Sequence, residues 1–127
     1  MISIDTNYLL RFLTHDVESQ FNEVEKIISD DRVDIYISSI VLAETIHVLE
    51  NHHYKVAKSD AIDAIINLLL NKNIKTEIFM NYALEIYSSE LISFYDSLIA
   101  AEAIHKNLDL KTFDKKLEKV YKKYTDK

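Results

Sequence analysis

Apolar residues follow two different spacings along the chain. Short runs in which apolar and polar residues alternate are typical of strands, and longer stretches with an apolar residue every third or fourth position are typical of helices. The alternating runs predict strands at 2–5, 34–38, 74–78 and 108–113. The helical spacing predicts helices near 7–13, 17–28, 39–51, 59–70, 81–88, 94–106 and 115–124.

The order of these elements predicts the fold class. Strands alternate with helices and no hairpin signal joins two strands, a pattern that indicates a parallel sheet flanked by helices. We therefore expect an α/β fold with a short central parallel sheet. The 127 residues fit one hydrophobic core, and no repeat or linker divides them, so a single domain over 1–127 is predicted.

The composition removes several kinds of chemistry. The chain has no glycine, proline, cysteine or tryptophan. This excludes a glycine-rich phosphate loop, a dinucleotide fingerprint, a disulfide and a zinc site made of thiolates. Turns that would ordinarily use glycine must use another residue, and Asn71, Asn73 and Asn107 are the expected substitutes.

Charge is distributed unevenly. The net charge is −6, yet residues 111–127 contain seven lysines against three acids, so the rest of the chain is strongly acidic. The lysines suit either contact with RNA or a solvated helix face. No apolar run approaches the roughly 18 residues that a membrane-spanning helix needs, and no leader pattern is present, so a cytoplasmic protein without membrane contact is expected.

Four acidic residues fall where a parallel sheet places its ligand crevice. Asp5 and Asp114 follow predicted strands, while Glu44 and Asp96 lie near the starts of predicted helices, the last two with apolar neighbours at helical spacing. Each has a simpler explanation, such as an N-cap for Asp114 or the capping box Ser93-x-x-Asp96. If they converge, their mutual repulsion is relieved by a hard cation such as Mg²⁺ or Mn²⁺.

Four segments resemble the motifs of PIN-domain proteins, especially the toxins of the VapC type. The segments are 2–13, which contains Asp5-Thr6-Asn7; 39–44, from serine to glutamate; 94–101, with Asp96 third; and 110–117, with Thr112-Phe113-Asp114. They span nearly the whole chain. One departure is at Lys106-Asn107, where relatives commonly carry glycine before the last strand.

The resemblance implies a PIN-like fold and a metal-dependent endoribonuclease, usually the toxin of a type II toxin–antitoxin pair. It implies that Asp5, Glu44, Asp96 and Asp114 bind one or two Mg²⁺ or Mn²⁺ ions. It further implies an RNA substrate, a cognate antitoxin protein, a homodimer, and products with 5′-phosphate and 3′-hydroxyl ends. Asn7 and Thr112 are expected to orient ligands or substrate, and Arg11, Lys115 and Lys116 are candidate RNA contacts.

Two alternatives stay open at this point. Glu44-x-x-His47 and Glu102-x-x-His105 match the paired Glu-x-x-His signature of a di-iron helical bundle, although both histidines also suit a helix surface. The other alternative is a PIN-like interaction module without catalysis, in which the acids serve structure alone.

Overall fold

The structure is a computed structural model, and it describes residues 1–125. Its strands are β1 (Ile2–Ser3), β2 (Ile35–Tyr36) and β3 (Ile74–Lys75). Its helices are α1 (Thr6–Thr14), α2 (Glu18–Ile28), α3 (Ser39–Glu50), α4 (Lys58–Leu69), α5 (Met80–Ser89), α6 (Phe94–His105) and α7 (Lys115–Thr125). Contacts between the elements divide the chain into two compact units, Met1–Glu77 and Ile78–Lys127. The single domain over 1–127 stays a prediction.

The first unit is built on a parallel sheet. The strand order is β1-β2-β3, and Ile35 pairs with Ile2 on one side and with Ile74 on the other. Ile35 and Ile37 are completely buried and Tyr36 between them is partly exposed, as the alternation in 34–38 predicts. Helix α1 packs against α2 and α3, and α3 packs against α4.

The loop between α2 and β2 is held by a buried asparagine. The side-chain amide of Asn73 donates hydrogen bonds to the carbonyl oxygens of Ile28, Asp30 and Val33. The expectation that Asn71 and Asn73 replace glycine in left-handed backbone is wrong, because neither has a positive φ. Their side chains satisfy backbone carbonyls instead, and Asn71 donates to Leu68.

The second unit consists of α5, α6 and α7. Helix α6 packs against both of the others, around buried alanines and large apolar side chains. The ring of Tyr87 on α5 meets that of Phe94 on α6 edge-on, with centroids 5.4 Å apart. Ser93 caps α6 as predicted, since its Oγ accepts a hydrogen bond from the Asp96 backbone N–H at 3.1 Å.

The predicted fourth strand at 108–113 is wrong. Asn107 takes the left-handed conformation that the sequence predicts for it, with φ of 60°, and the chain turns back on α6. The Leu108 N–H then donates to the Ala103 carbonyl and the Leu108 carbonyl accepts from the Tyr121 hydroxyl. Residues 108–113 form a loop without strand pairing that leads into α7.

The other element boundaries differ from prediction by a few residues. The three remaining strands are shorter than predicted, and α1 begins at Thr6, one residue before its predicted start, with Asp5 as its cap. Helix α4 begins at Lys58, after Ala57, which provides no side-chain cap. None of the helices within residues 1–125 is long and apolar enough to cross a membrane.

Candidate metal centre and nucleic-acid interface

Asp96 and Asp114 form a pair of interacting carboxylates in the second unit. Asp96 lies in the first turn of α6 and is half-buried, whereas Asp114 is exposed just before α7. Burial raises the pKa of Asp96, and the negative charge of Asp114 raises it further, against a smaller opposing effect of the Ser93 hydrogen bond. Neither acid forms an ion pair with a lysine, arginine or histidine of residues 1–125.

Asp114 is fixed by three hydrogen bonds around the start of α7. Its Oδ1 accepts from the backbone N–H groups of Lys116 at 3.0 Å and Leu117 at 3.1 Å. Its own N–H donates to the Thr112 hydroxyl at 3.0 Å. The N-cap expected from the sequence is therefore present. Because capping uses one carboxylate oxygen, the other oxygen remains a potential metal ligand.

Asp5 and Asn7 border a cavity in the first unit. Asp5 ends the segment after β1, is exposed, and accepts a hydrogen bond from the Tyr8 N–H at 2.9 Å. The cavity has a volume of about 470 Å³ and is lined by these residues, Arg11 and part of α2. Asp5 therefore caps α1 and also lines a polar cavity.

Arg11 is already engaged within this unit. Its Nη1 donates to Asp16 Oδ1 at 2.6 Å, and the Arg11 side chain as a whole is 24% exposed. The Asp16 carboxylate raises the pKa of Arg11. Its role as an RNA contact stays a prediction from the sequence, and contact with RNA would have to share the side chain with Asp16.

Glu44 does not have the apolar surroundings expected for it. It lies on α3 and is exposed, and the neighbouring Ile40 is itself 71% exposed. Helical spacing identified its neighbours correctly, but not whether another element covers them. The expectation of a desolvated acid is right for Asp96 and wrong for Glu44.

Lys115 and Lys116 lie in the first turn of α7. Both are exposed, and neither forms an ion pair with any residue between 1 and 125. Their exposed charges suit an anion or a solvated helix face equally, so their role as RNA contacts stays a prediction.

Two residues that lie within the sequence motifs, and to which the sequence assigned no role, have unusual surroundings. Ser39 Oγ at the start of α3 is buried and has no hydrogen-bond partner within the described part of the chain. Phe113, the last residue of the predicted fourth strand, is fully exposed. The motifs marked both positions, but they carried no signal of the burial of one side chain or the exposure of the other.

The donor chemistry of the acid pair fits a hard divalent cation. Carboxylate oxygens are the ligands that Mg²⁺ and Mn²⁺ prefer, and a cation offsets the repulsion between Asp96 and Asp114. Within residues 1–125, no group of three or more histidine, aspartate or glutamate side chains is arranged to hold a metal ion. The four-acid site of Asp5, Glu44, Asp96 and Asp114 thus stays a prediction.

A family model for the PIN domain matches residues 2–123. The chain belongs to the PIN domain family. A search of curated proteins finds no match. The α/β fold predicted from the sequence is confirmed, with seven helices and three parallel strands in residues 1–125.

Membership of this family settles one of the alternatives. PIN domains are in general nucleases and generally use divalent metal ions. The di-iron helical bundle is wrong, because the Glu-x-x-His segments belong to an α/β PIN domain, and His47 and His105 are exposed on α3 and α6.

Proposed function

We propose that this PIN domain is a Mg²⁺- or Mn²⁺-dependent endoribonuclease and the toxin of a type II toxin–antitoxin pair. The observation that carries the proposal is the Asp96–Asp114 pair, in which burial and then the charge of the neighbouring Asp114 carboxylate raise the pKa of the half-buried Asp96. Such a pair is unfavourable for folding and useful for binding a cation. This combination is typical of functional sites.

The proposed roles of the side chains follow from their chemistry. Asp96 and Asp114 hold the metal, and Asp5 and Glu44 are the further ligands that the motifs suggest. The bound cation would supply Lewis acidity and a lowered pKa for its water. Thr112 is a positioning residue, because its hydroxyl accepts the N–H of Asp114 and so fixes that carboxylate. Asn7, exposed on the first turn of α1, offers an amide to the substrate phosphate.

The decisive experiment measures cleavage of a labelled single-stranded RNA by the purified protein with Mg²⁺, with Mn²⁺ or with EDTA. We expect cleavage that requires the metal and is lost in Asp5→Asn and Asp96→Asn. Asp109→Asn is the matched control, because it removes the same charge from an exposed position in the loop before α7. Cleavage that is absent in the wild type, or that survives both substitutions, contradicts the nuclease proposal and favours an interaction module.

The toxin role is tested separately in cells. Expression of the wild-type chain is expected to arrest growth, and Asp96→Asn is expected to relieve the arrest. Co-expression of the cognate antitoxin, encoded beside the toxin in type II systems, is expected to restore growth. A chain that cleaves RNA in vitro but never slows growth is a nuclease with another role. The proposed homodimer is checked by sedimentation.

A further inference from the structure

Phe113 has an exposure that folding does not explain. Its side chain is 102% exposed, the largest value among the big apolar side chains in the described residues. Its sequence neighbours from Lys111 to Lys116 are all polar or charged. A phenylalanine in water adds no free energy of burial to folding, and its flat ring is open to contact with a ligand.

The backbone on both sides of Phe113 is fixed by hydrogen bonds. The Thr112 hydroxyl accepts from the N–H of Asp114, and Asp114 Oδ1 accepts from the N–H groups at the start of α7. A further bond joins the Leu108 carbonyl to the Tyr121 hydroxyl on α7. The ring is therefore presented from a defined turn, which lowers the entropy lost when a flat ligand covers it.

We infer that Phe113 is a stacking platform for one nucleobase of single-stranded RNA, next to the phosphate that is cleaved at the metal ion proposed for Asp96 and Asp114. The inference rests on the proposed function and adds a binding contact to it. Phe113 directly precedes Asp114, and the exposed side chains of Lys111, Lys115 and Lys116 supply positive charge for the RNA backbone. Aromatic rings combined with cations are how proteins bind single strands without reading their sequence.

The chemistry around the ring favours RNA over a protein partner. A protein-docking surface has an apolar centre of several contiguous side chains. Along the chain, Phe113 is flanked by lysines, a threonine and an aspartate. A single exposed ring with cations before and after it in the sequence suits a base and its phosphates.

Binding is tested by fluorescence, because the protein contains no tryptophan. Phe113→Trp places a single indole at the proposed platform, and Ile78→Trp places one at another exposed site, 79% exposed, in the same unit. Each variant is titrated with an oligoadenylate of twelve nucleotides and with an abasic ribose-phosphate chain of equal length. The RNA is checked for integrity on a denaturing gel after each titration.

We expect oligoadenylate to quench Phe113→Trp, and the abasic chain to quench it far less, because only a base stacks. Ile78→Trp should respond to neither. Absence of quenching, equal quenching by the abasic chain, or equal quenching of Ile78→Trp overturns the inference. This measurement needs no hydrolysis, so it judges stacking even if the wild type proves unable to cleave RNA.

Cleavage supplies a second test when the wild type is active. Loss of one stacked base weakens binding by roughly 5-fold to 150-fold. Phe113→Ala is therefore expected to raise KM within about that range, and Phe113→Tyr, which keeps the ring, should restore it. If Phe113→Ala cleaves RNA with an unchanged KM, the stacking role is wrong and the nuclease proposal stands. Contact with a protein partner would then be the remaining role for the ring.

Discussion

Asp96 is an acid whose surroundings oppose its charge. It is half-buried at the start of α6, and both its burial and the nearby Asp114 carboxylate raise its pKa. Keeping it ionised at neutral pH therefore lowers the stability of the folded chain. Such a residue is expected where function, rather than folding, requires the charge.

Asp96→Asn is expected to increase stability while it abolishes cleavage. Asparagine has a similar shape and no charge, so it removes both the desolvation and the repulsion. In EDTA at pH 7, the urea midpoint of the variant should exceed that of the wild type. Adding Mg²⁺ should stabilise the wild type and leave the variant unchanged, because only the wild type binds the ion tightly.

The control for this prediction is Asp109→Asn, which removes a charge from an exposed site in the same unit. It should change neither the urea midpoint in EDTA nor the response to Mg²⁺ by a comparable amount. A wild type that Mg²⁺ fails to stabilise, or an Asp96→Asn variant less stable than the wild type in EDTA, would contradict the role given to Asp96.

Asp16 shows the opposite behaviour in the first unit. Its carboxylate accepts hydrogen bonds from Arg11, from the Thr14 hydroxyl at 2.8 Å and from the Tyr54 hydroxyl at 2.9 Å. These bonds, that from Arg11 above all, hold the pKa of Asp16 well below its usual range. The residue ties the turn after α1 to the loop after α3.

Asp16→Asn is expected to destabilise the protein in a pH-dependent way. A folded-state pKa below the ordinary value of 3.8 stabilises the folded chain fully above that pH, and the contribution is lost as pH falls toward the folded-state pKa. Urea unfolding of wild type and variant should therefore differ at pH 7 and at pH 5, and the difference should shrink below pH 4.

Tyr54→Phe is the matched control, because it removes one hydrogen bond to Asp16 and no charge. Its effect should be smaller than that of Asp16→Asn and should depend less on pH. An Asp16→Asn deficit that is constant from pH 7 to pH 3.5 would show that the carboxylate charge does not contribute to stability.

At the level of helices, the hydroxyl groups of two adjacent serines at the start of α3 have opposite effects on stability. Ser38 is the N-cap, and its Oγ accepts from the Val41 N–H at 3.4 Å. Ser39 is the first helical residue, and its buried Oγ finds no partner in residues 1–125. One hydroxyl therefore stabilises the helix, whereas the other is desolvated without compensation.

Alanine substitutions should separate the two serines. Ser38→Ala should lower the free energy of unfolding by about 0.5–2 kcal/mol, as loss of a cap does. Ser39→Ala should leave it unchanged or raise it by up to about 1 kcal/mol, because it removes an unsatisfied polar atom. Urea denaturation of both variants measures the difference. Equal losses would mean that Ser39 Oγ has a partner in solution.

Local chemistry predicted the helices better than the last strand. Ser93 and Asp114 are recognisable caps because capping depends on residues within one turn. A strand needs a partner elsewhere in the chain, and the alternation in 108–113 carries no information on whether one is available. There the backbone turns at Asn107 and bonds to α6 and α7 instead.

The same limit holds for the candidate site: the sequence identified its residues but not their surroundings in the fold. The motif positions of Asp96 and Asp114 were recognisable from the sequence, and the structure adds that these two carboxylates interact. The pairing of Arg11 with Asp16, the exposure of Glu44 and the exposed ring of Phe113 depend on which surfaces other elements cover. Helical or strand spacing identifies a residue's neighbours within one element. It does not show which other elements pack over that residue.

For the molecule as a whole, the uneven charge sets how a polyanion is bound. The net charge is −6, and the lysines are concentrated after residue 110. An acidic protein repels RNA at long range, so binding has to rely on the basic segment and on the metal. Lys115 and Lys116 are the exposed cations nearest to Asp114 in the sequence.

Replacing Lys115 and Lys116 with glutamine should weaken RNA binding in a way that salt reveals. Each phosphate neutralised on a single strand contributes about 0.7 to the slope of log affinity against log salt, so the double variant should lose roughly 1.4 of that slope. Anisotropy of a labelled RNA in EDTA between 50 and 200 mM salt measures it. The control, Lys26→Gln with Lys72→Gln, removes the same charge from exposed positions before residue 78. If both double variants lose the same slope, net charge governs binding; if neither does, these lysines form a solvated helix face and the RNA is held by other groups.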